Sequence, residues 1–410
     1  MKIAEINMVA NGSTGHIMLN IAKKAREKGH EVLTFSTHVF NKRYKRLPAA
    51  PEGHIYYGSR FENAIHYSAA QFTALNGCYS ALGTAQIIRT LKKFKPDVIH
   101  LHNLHSFCFH FPSFLRYVKK AGIPVVWTLH DCWTFTGHCP YFTLENCDKW
   151  KTGCHHCPQI SVSPRVRVDR TDRIYEMKKK WFTGIPNLTL VTPSEWLRDL
   201  VGESYLGDVP VKVINNGIDL SVFKPTESDF RKKHNLEGKT VLLGVSFSWG
   251  KRKGLDVFTE LAKRLDDSFR IVLVGTNAAI EAELPEGIIS IRKTNNQTEL
   301  AEIYTAADIL VNPTREENYP TVNMEAIACG TPVVTFRTGG SPEIPDETTG
   351  SVVECDDIDG LEREIKRIAA EKPYSTEACL RRAESFDMDE KYEEYVSLYE
   401  DCTYRADLSL

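Results

Sequence analysis

Glu317 and Glu325 stand eight residues apart, on either side of Pro320, in the stretch TREENYPTVNMEAIACGTPVV. Neither is spaced like a core residue. Pro320 disfavours helix at Tyr319 but suits a helical first turn, so a helix is predicted over 321–329, with Gly330 ending it. The apolar strand 333–336 then follows Thr331-Pro332. A helix that opens in this way directs the unpaired N–H groups of Thr321 and Val322 at whatever lies in front of it, and anions bind there. A surface loop with ordinary solvated acids is the plainer reading. The strand–loop–helix–strand setting weighs against it.

Three further groups could do chemistry. Gly250-Lys251-Arg252-Lys253-Gly254 joins a predicted strand (240–247) to a predicted helix (254–265), and cations there can grip a diphosphate. Predicted strands over 96–103 and 124–131 both carry histidine at the carboxyl end, the edge at which open α/β sheets bind ligands. His130 is the first candidate, with His102 and Asn103 as neighbours. Finally, Cys132 is followed by Cys139, Cys147, Cys154 and Cys157. The last two form a C-x2-C turn, the geometry by which two thiolates clasp one metal ion. Cys139, Cys147, Cys154 and Cys157 could supply a closed tetrahedral zinc site, with His138, His155 or His156 able to replace a thiolate. Such a zinc would be structural, pinning an insertion over 132–158. The alternative is a set of reduced thiols in a loop.

To position these groups the chain alternates strands and helices. A strand over 1–9 enters the loop Asn11-Gly12-Ser13-Thr14-Gly15, which opens a helix over 17–28, a βα unit of the Rossmann kind. Gly12 and Gly15 would let the backbone approach a phosphate or acceptor closely, although the loop is not a full G-x-G-x-x-G. A length of 410 residues exceeds one core and predicts two domains. A net charge of −2 and a pI near 6.7 argue against a nucleic-acid binder held by general electrostatics and leave room for local basic patches. With no run of eighteen apolar residues and an N-terminus that reads as a strand, the protein is expected to be soluble and cytoplasmic. Its eleven cysteines then read as thiols or metal ligands. Lys42-Arg43-Tyr44-Lys45-Arg46 reads either as a solvated loop or as a patch drawn to anionic lipid. The helix over 165–181 reads as charged and solvated, with Trp181 turned inward. Two D-x-D strings, at 357–359 and 387–389, read as helix-start acids.

The stretch around Glu317 and Glu325, followed by Thr338-Gly339-Gly340-Ser341-Pro342-Glu343, resembles the E-x7-E signature of retaining, nucleotide-sugar-dependent glycosyltransferases of family four. The resemblance covers nearly the whole chain. It implies the α/β GT-B fold: two Rossmann-like doubly wound domains facing a central cleft, with a C-terminal helix crossing back. The expected domains are 1–216 on the acceptor side, 217–384 for the donor, and 385–410 as the returning helix. The activity implied is transfer of a hexose from a nucleotide sugar to a glycan or lipid-linked oligosaccharide, with peripheral membrane contact and no catalytic metal. His130 and Glu317 match residues at the reaction centre. Gly15, Arg252, Lys253, Asn318, Tyr319, Pro320, Thr321, Val322 and Glu325 fall on the donor side, with Glu325 at the ribose hydroxyls. Gly12, His102 and Asn103 fall on the acceptor side. The family's usual diphosphate arginine is Ser248 here, which makes Arg252 the substitute. A nucleotide-sugar epimerase of the same architecture, or a non-catalytic sugar-binding relative, are the competing expectations.

Overall fold

The computed structural model describes residues 1–37, 50–105 and 107–408, so the basic segment Lys42–Arg46 lies outside the described residues. The chain divides into two units, Met1–Ile214 with Tyr392–Leu410, and Asn215–Lys391. The sequence predicts these divisions at 216 and 384.

The first unit is a parallel sheet of seven strands: β1 (Lys2–Ile6), β2 (Glu31–Thr37), β3 (His54–Tyr57), β4 (Val98–Leu101), β5 (Val125–Thr128), β6 (Leu188–Thr192) and β7 (Val211–Val213). Their spatial order is β3-β2-β1-β4-β5-β6-β7. Helices cover the sheet, and β4 and β5 are buried at every position, His100 and Thr128 included, rather than at alternate ones. The order reverses between β1 and β4, so the chain leaves these neighbours in opposite directions and opens a crevice at their carboxyl ends. Ile6 pairs with Leu101, and Leu101 with Trp127, so the loops carrying Asn7, His102 and His130 leave the sheet close together. Strand β3, four residues long and followed by the helix Arg60–Thr73, carries no periodic signal in the sequence.

The second unit is a parallel sheet of six strands: β8 (Thr240–Val245), β9 (Phe269–Val274), β10 (Ile288–Ile291), β11 (Ile309–Asn312), β12 (Val333–Phe336) and β13 (Gly350–Val353). The order β10-β9-β8-β11-β12-β13 reverses between β8 and β11, again at the site of interest. The last helix, Met388–Leu408, begins in this unit. Its start is bound to the junction segment: Ile218 N–H donates to Phe386 O at 2.8 Å, and Met388 N–H to Ile218 O at 3.0 Å. A Cβ on Gly217 would stand 2.3 Å from the Met388 Cα, so only glycine lets the two strands of chain lie this close. Further on, the helix belongs to the first unit, where Tyr399 OH meets His100 Nδ1 at 2.6 Å and Thr128 donates to Tyr395 OH at 3.3 Å. The apolar stripe of this helix serves packing, with Tyr392, Tyr395, Val396 and Tyr399 all buried.

Candidate functional site

In the second unit the site grows from the loops beyond β8 and β11. Gly254 has φ +72°, and a Cβ there would meet Pro313 O at 2.4 Å, so the turn Lys251–Lys253 seats directly on the loop after β11. Arg315, which the sequence did not single out, straps the two loops together. Its backbone N–H donates to Arg252 O at 2.9 Å, while its buried guanidinium holds Asp256 through two bonds of 2.8 Å and Asp356 at 2.7 Å. The Lys253 ammonium, carried on this turn, pairs with the Glu317 carboxylate. Their places in the sequence predict two separate ligand contacts. They are each other's partner. The Glu317 backbone is fixed in turn by Gly339 (φ +57°), whose Cβ, if present, would overlap Glu317 O at 1.7 Å, and by Gly340 N–H donating to Asn318 O at 2.8 Å. Arg252 Nη1 donates to Glu316 O at 3.2 Å, which binds the guanidinium to the same loop.

Pro320 precedes the helix Thr321–Ala328, and no side chain caps its N-terminus. Thr321 and Val322 are partly exposed there. One turn on, Glu325 Oε2 accepts a 2.8 Å bond from Tyr304, a fully buried tyrosine of the helix Gln297–Ala306. Burial raises the Glu325 carboxyl above its ordinary 4.5, against the opposing hydrogen bonds from Tyr304 and Thr321. Tyr304 carried no sequence signal, since its partner lies a helix away.

In the first unit, His102 Nδ1 stands 3.1 Å from His130 Nε2. His102 is wholly buried, so the expectation that it shapes an acceptor pocket is corrected: it supports His130 from beneath. Its other nitrogen faces Glu5 Oε2 at 3.8 Å, and neither atom has a hydrogen-bond partner. Burial raises the Glu5 carboxyl well above the usual range and lowers His100 and His102 well below theirs. His130, partly exposed, is pushed down by burial to about 4, which leaves it a neutral imidazole at neutral pH. A glutamate inside an apolar strand was the sequence clue to Glu5. Asn103 is partly exposed and donates to Asp131 Oδ2 at 3.1 Å, the oxygen that His105 also reaches at 3.1 Å. Burial works to raise Asp131, but His105 and the Trp133 N–H hold it below its ordinary value. Gly12 (φ +80°) makes the turn into the helix Ser13–Glu27. Gly15 is buried, and its Cβ would meet Ala10 C at 2.5 Å, so its glycine serves the chain's own backbone rather than a ligand's approach.

Of the cysteines, Cys139 is in hydrogen-bond contact with Cys157, and Cys154 and Cys157 each receive a backbone N–H. Among the described residues no three of the four sulfurs lie within 4.8 Å of one another, so the closed set of four expected from spacing is not preformed. The helix Thr171–Phe182 likewise departs from its expected solvated face, because Lys178 is wholly buried.

The profile described as Glycosyltransferase Family 4 matches residues 14–222, and that of the glycosyl transferases group 1 matches 238–371. The colanic acid biosynthesis glycosyl transferase WcaC of Escherichia coli is 26% identical over 328 residues, which cover 77% of this chain and 79% of that protein. The sulfoquinovosyl transferase SQD2 of Arabidopsis thaliana is 24% identical over 339 residues, 81% of this chain and 58% of that one. Among solved structures, Alr3699/HepE of Anabaena in complex with UDP superposes with a TM-score of 0.69 at 15% identity, covering 98% of this chain and 100% of that one. Sucrose-phosphate synthase of Thermosynechococcus elongatus gives 0.69 at 17%, covering 98% of each. At such identity the likeness shows the fold, GT-B.

Proposed function

The chain belongs to glycosyltransferase family 4, and from that membership we propose that it transfers a hexose, with retention, from a nucleoside diphosphate sugar to a glycan or lipid-linked oligosaccharide in polysaccharide biosynthesis. The observation that carries the donor assignment is the grouping at the β8–β11 crevice of Lys253, Glu317, an uncapped helix start and Glu325. The helix N–H groups of Thr321 and Val322, with Lys253, take the diphosphate and meet the charge that grows on it as it leaves. Arg252 supports them. Glu325 accepts the ribose hydroxyls, and Glu317, once Lys253 turns to phosphate, accepts hydroxyls of the sugar. Asn318, Tyr319 and Pro320 hold the connecting loop. Neutral His130 is assigned a hydrogen bond to the sugar, and departure and attack on one face is the route that the family resemblance implies. Solved relatives holding UDP and UDP-glucose support a uridine donor, and the name of the Escherichia coli relative supports polysaccharide synthesis. Among the described residues no helix is long and apolar enough to cross a membrane. The exposed apolar rings of the helix Arg60–Thr73 support contact at a membrane surface instead.

Calorimetric titration of UDP in EDTA tests the donor site. The native chain should bind without divalent metal. Glu325→Ala should bind about tenfold to a hundredfold more weakly, the loss of a charge-assisted hydrogen bond of about 1.5–3 kcal/mol. Lys253→Ala should lose mainly rate, because a phosphate clamp strengthens as charge develops. Unchanged affinity in a folded Glu325→Ala would sink the ribose assignment, and binding that only magnesium restores would sink the metal-free diphosphate site.

A further inference from the structure

The segment between β5 and the helix Thr171–Phe182 has two short 3-10 turns, Trp133–Phe135 and Lys149–Lys151, and no other helix or strand. Trp133, Phe135, Phe142 and Trp150 anchor it in the core, and the stretches between these anchors have no ladder to order them. The segment carries thiols in the pattern C-x7-C-x6-C-x2-C. We propose that Cys139, Cys147, Cys154 and Cys157 bind one structural zinc ion that staples this segment, which follows His130 in the chain.

The contact between Cys139 and Cys157 already joins the two ends of the pattern. Gly137 N–H donates to Cys154 Sγ at 3.1 Å, and Gln159 N–H to Cys157 Sγ at 3.4 Å. Amide donors aimed at sulfur are the outer partners that orient and stabilise a thiolate on a metal. Gly137 can be nothing larger, since its Cβ would stand 2.6 Å from that of Cys154. The surroundings suit such a site. Lys178 is wholly buried, bonded to Trp133 O and Thr136 O and 3.4 Å from the centre of the Trp133 ring. Burial pushes its amine down to about 7 against the pull of Cys154, Cys139 and Asp131, so two of the four sulfurs lie within electrostatic reach of it. Four thiolates on one divalent ion carry a net charge of −2, which a neighbouring amine tolerates better than a carboxylate would.

The histidines are otherwise placed. His138 Nε2 faces Val162 O at 3.4 Å, and His155 and His156 are exposed. Thiolates on one zinc sit about 3.8 Å apart. Binding therefore draws the remaining sulfurs onto the Cys139–Cys157 pair, and each of the four thiols gives its proton to solvent as its Zn–S bond forms.

Elemental analysis of the untagged full-length chain should find about one zinc per chain. Cys154→Ser and Cys157→Ser should each lose most of it, while Cys355→Ser, at an exposed thiol away from the segment, should keep it. Because the first two variants can misfold, a mercurial titration of the native chain provides a second reading: zinc should be released in step with thiol modification, and cobalt(II) in its place should give the visible spectrum of a tetrahedral thiolate site. A folded, metal-free chain whose four thiols react freely, or one holding a Cys139–Cys157 disulfide, would overturn the proposal.

Discussion

Lys253 and Glu317 neutralise one another, so a diphosphate that takes the ammonium has to displace a carboxylate. Glu317→Gln removes that competitor. UDP should then bind about threefold to tenfold more tightly, within the range of a partly screened ion pair, while transfer slows because the sugar loses its acceptor. Calorimetry with UDP beside a turnover assay separates the two, and weaker UDP binding in Glu317→Gln would show that the pair is a support for the loop instead. Glu325 differs in kind. Its carboxyl is raised by burial, and only the ionised form accepts two hydroxyl donors, so the contribution of Glu325 to UDP affinity should fade on acidification while the pH is still above the ordinary 4.5.

At the scale of elements, the helix Arg60–Thr73 is unusual. It buries His66, Ala70 and Gln71, yet Phe61, Ile65 and Phe72, which share a face at helical spacing, are 77%, 51% and 66% exposed, with Leu82 nearby at 75%. Arg60, Arg165 and Arg167 are exposed, and the Arg167 guanidinium lies 5.6 Å from the Phe72 ring. Apolar rings among cations are the make-up of an interfacial helix on anionic lipid. Phe61→Ser with Phe72→Ser should cut co-sedimentation with anionic vesicles severalfold and leave the melting temperature nearly unchanged, because neither ring is buried. Equal binding of both proteins would remove the stripe from that role.

For the whole molecule, buried histidine sets the acid response. Desolvation lowers His54, His130 and His138 to about 4 and His66 to about 3, and takes His100 and His102 well below their ordinary value of 6.5. The unfolded chain binds these protons near 6.5 and the folded chain does not, so the stability they confer is present above 6.5 and is lost as pH falls below it. Glu5 and Glu325, with their folded values raised, have the opposite sign and favour the folded state toward acid. His30 and His110 are lowered as well, so eight histidines against two carboxyls decide the direction. The melting temperature should drop steadily from pH 7 to 5.5, before most carboxylates titrate, and a flat profile over that interval would show these sites open to protonation when folded.

Much of this was legible in one dimension, for local reasons. Strand and helix periods, the Pro320 start and Gly330 stop, and the run of motifs around Glu317, Glu325, Lys253 and His130 are properties of neighbouring residues, and they sufficed to name the two-sheet architecture and the family. Partnership was not local. That Lys253 binds Glu317, that Tyr304 backs Glu325, that Arg315 straps two loops and that Glu5 lies below His102 each depend on strands brought side by side from distant parts of the chain. Lys178 makes the same point most simply. In sequence it belongs to a lysine run that reads as solvated, and only the packing of its helix against the cysteine segment decides that this one ammonium leaves water.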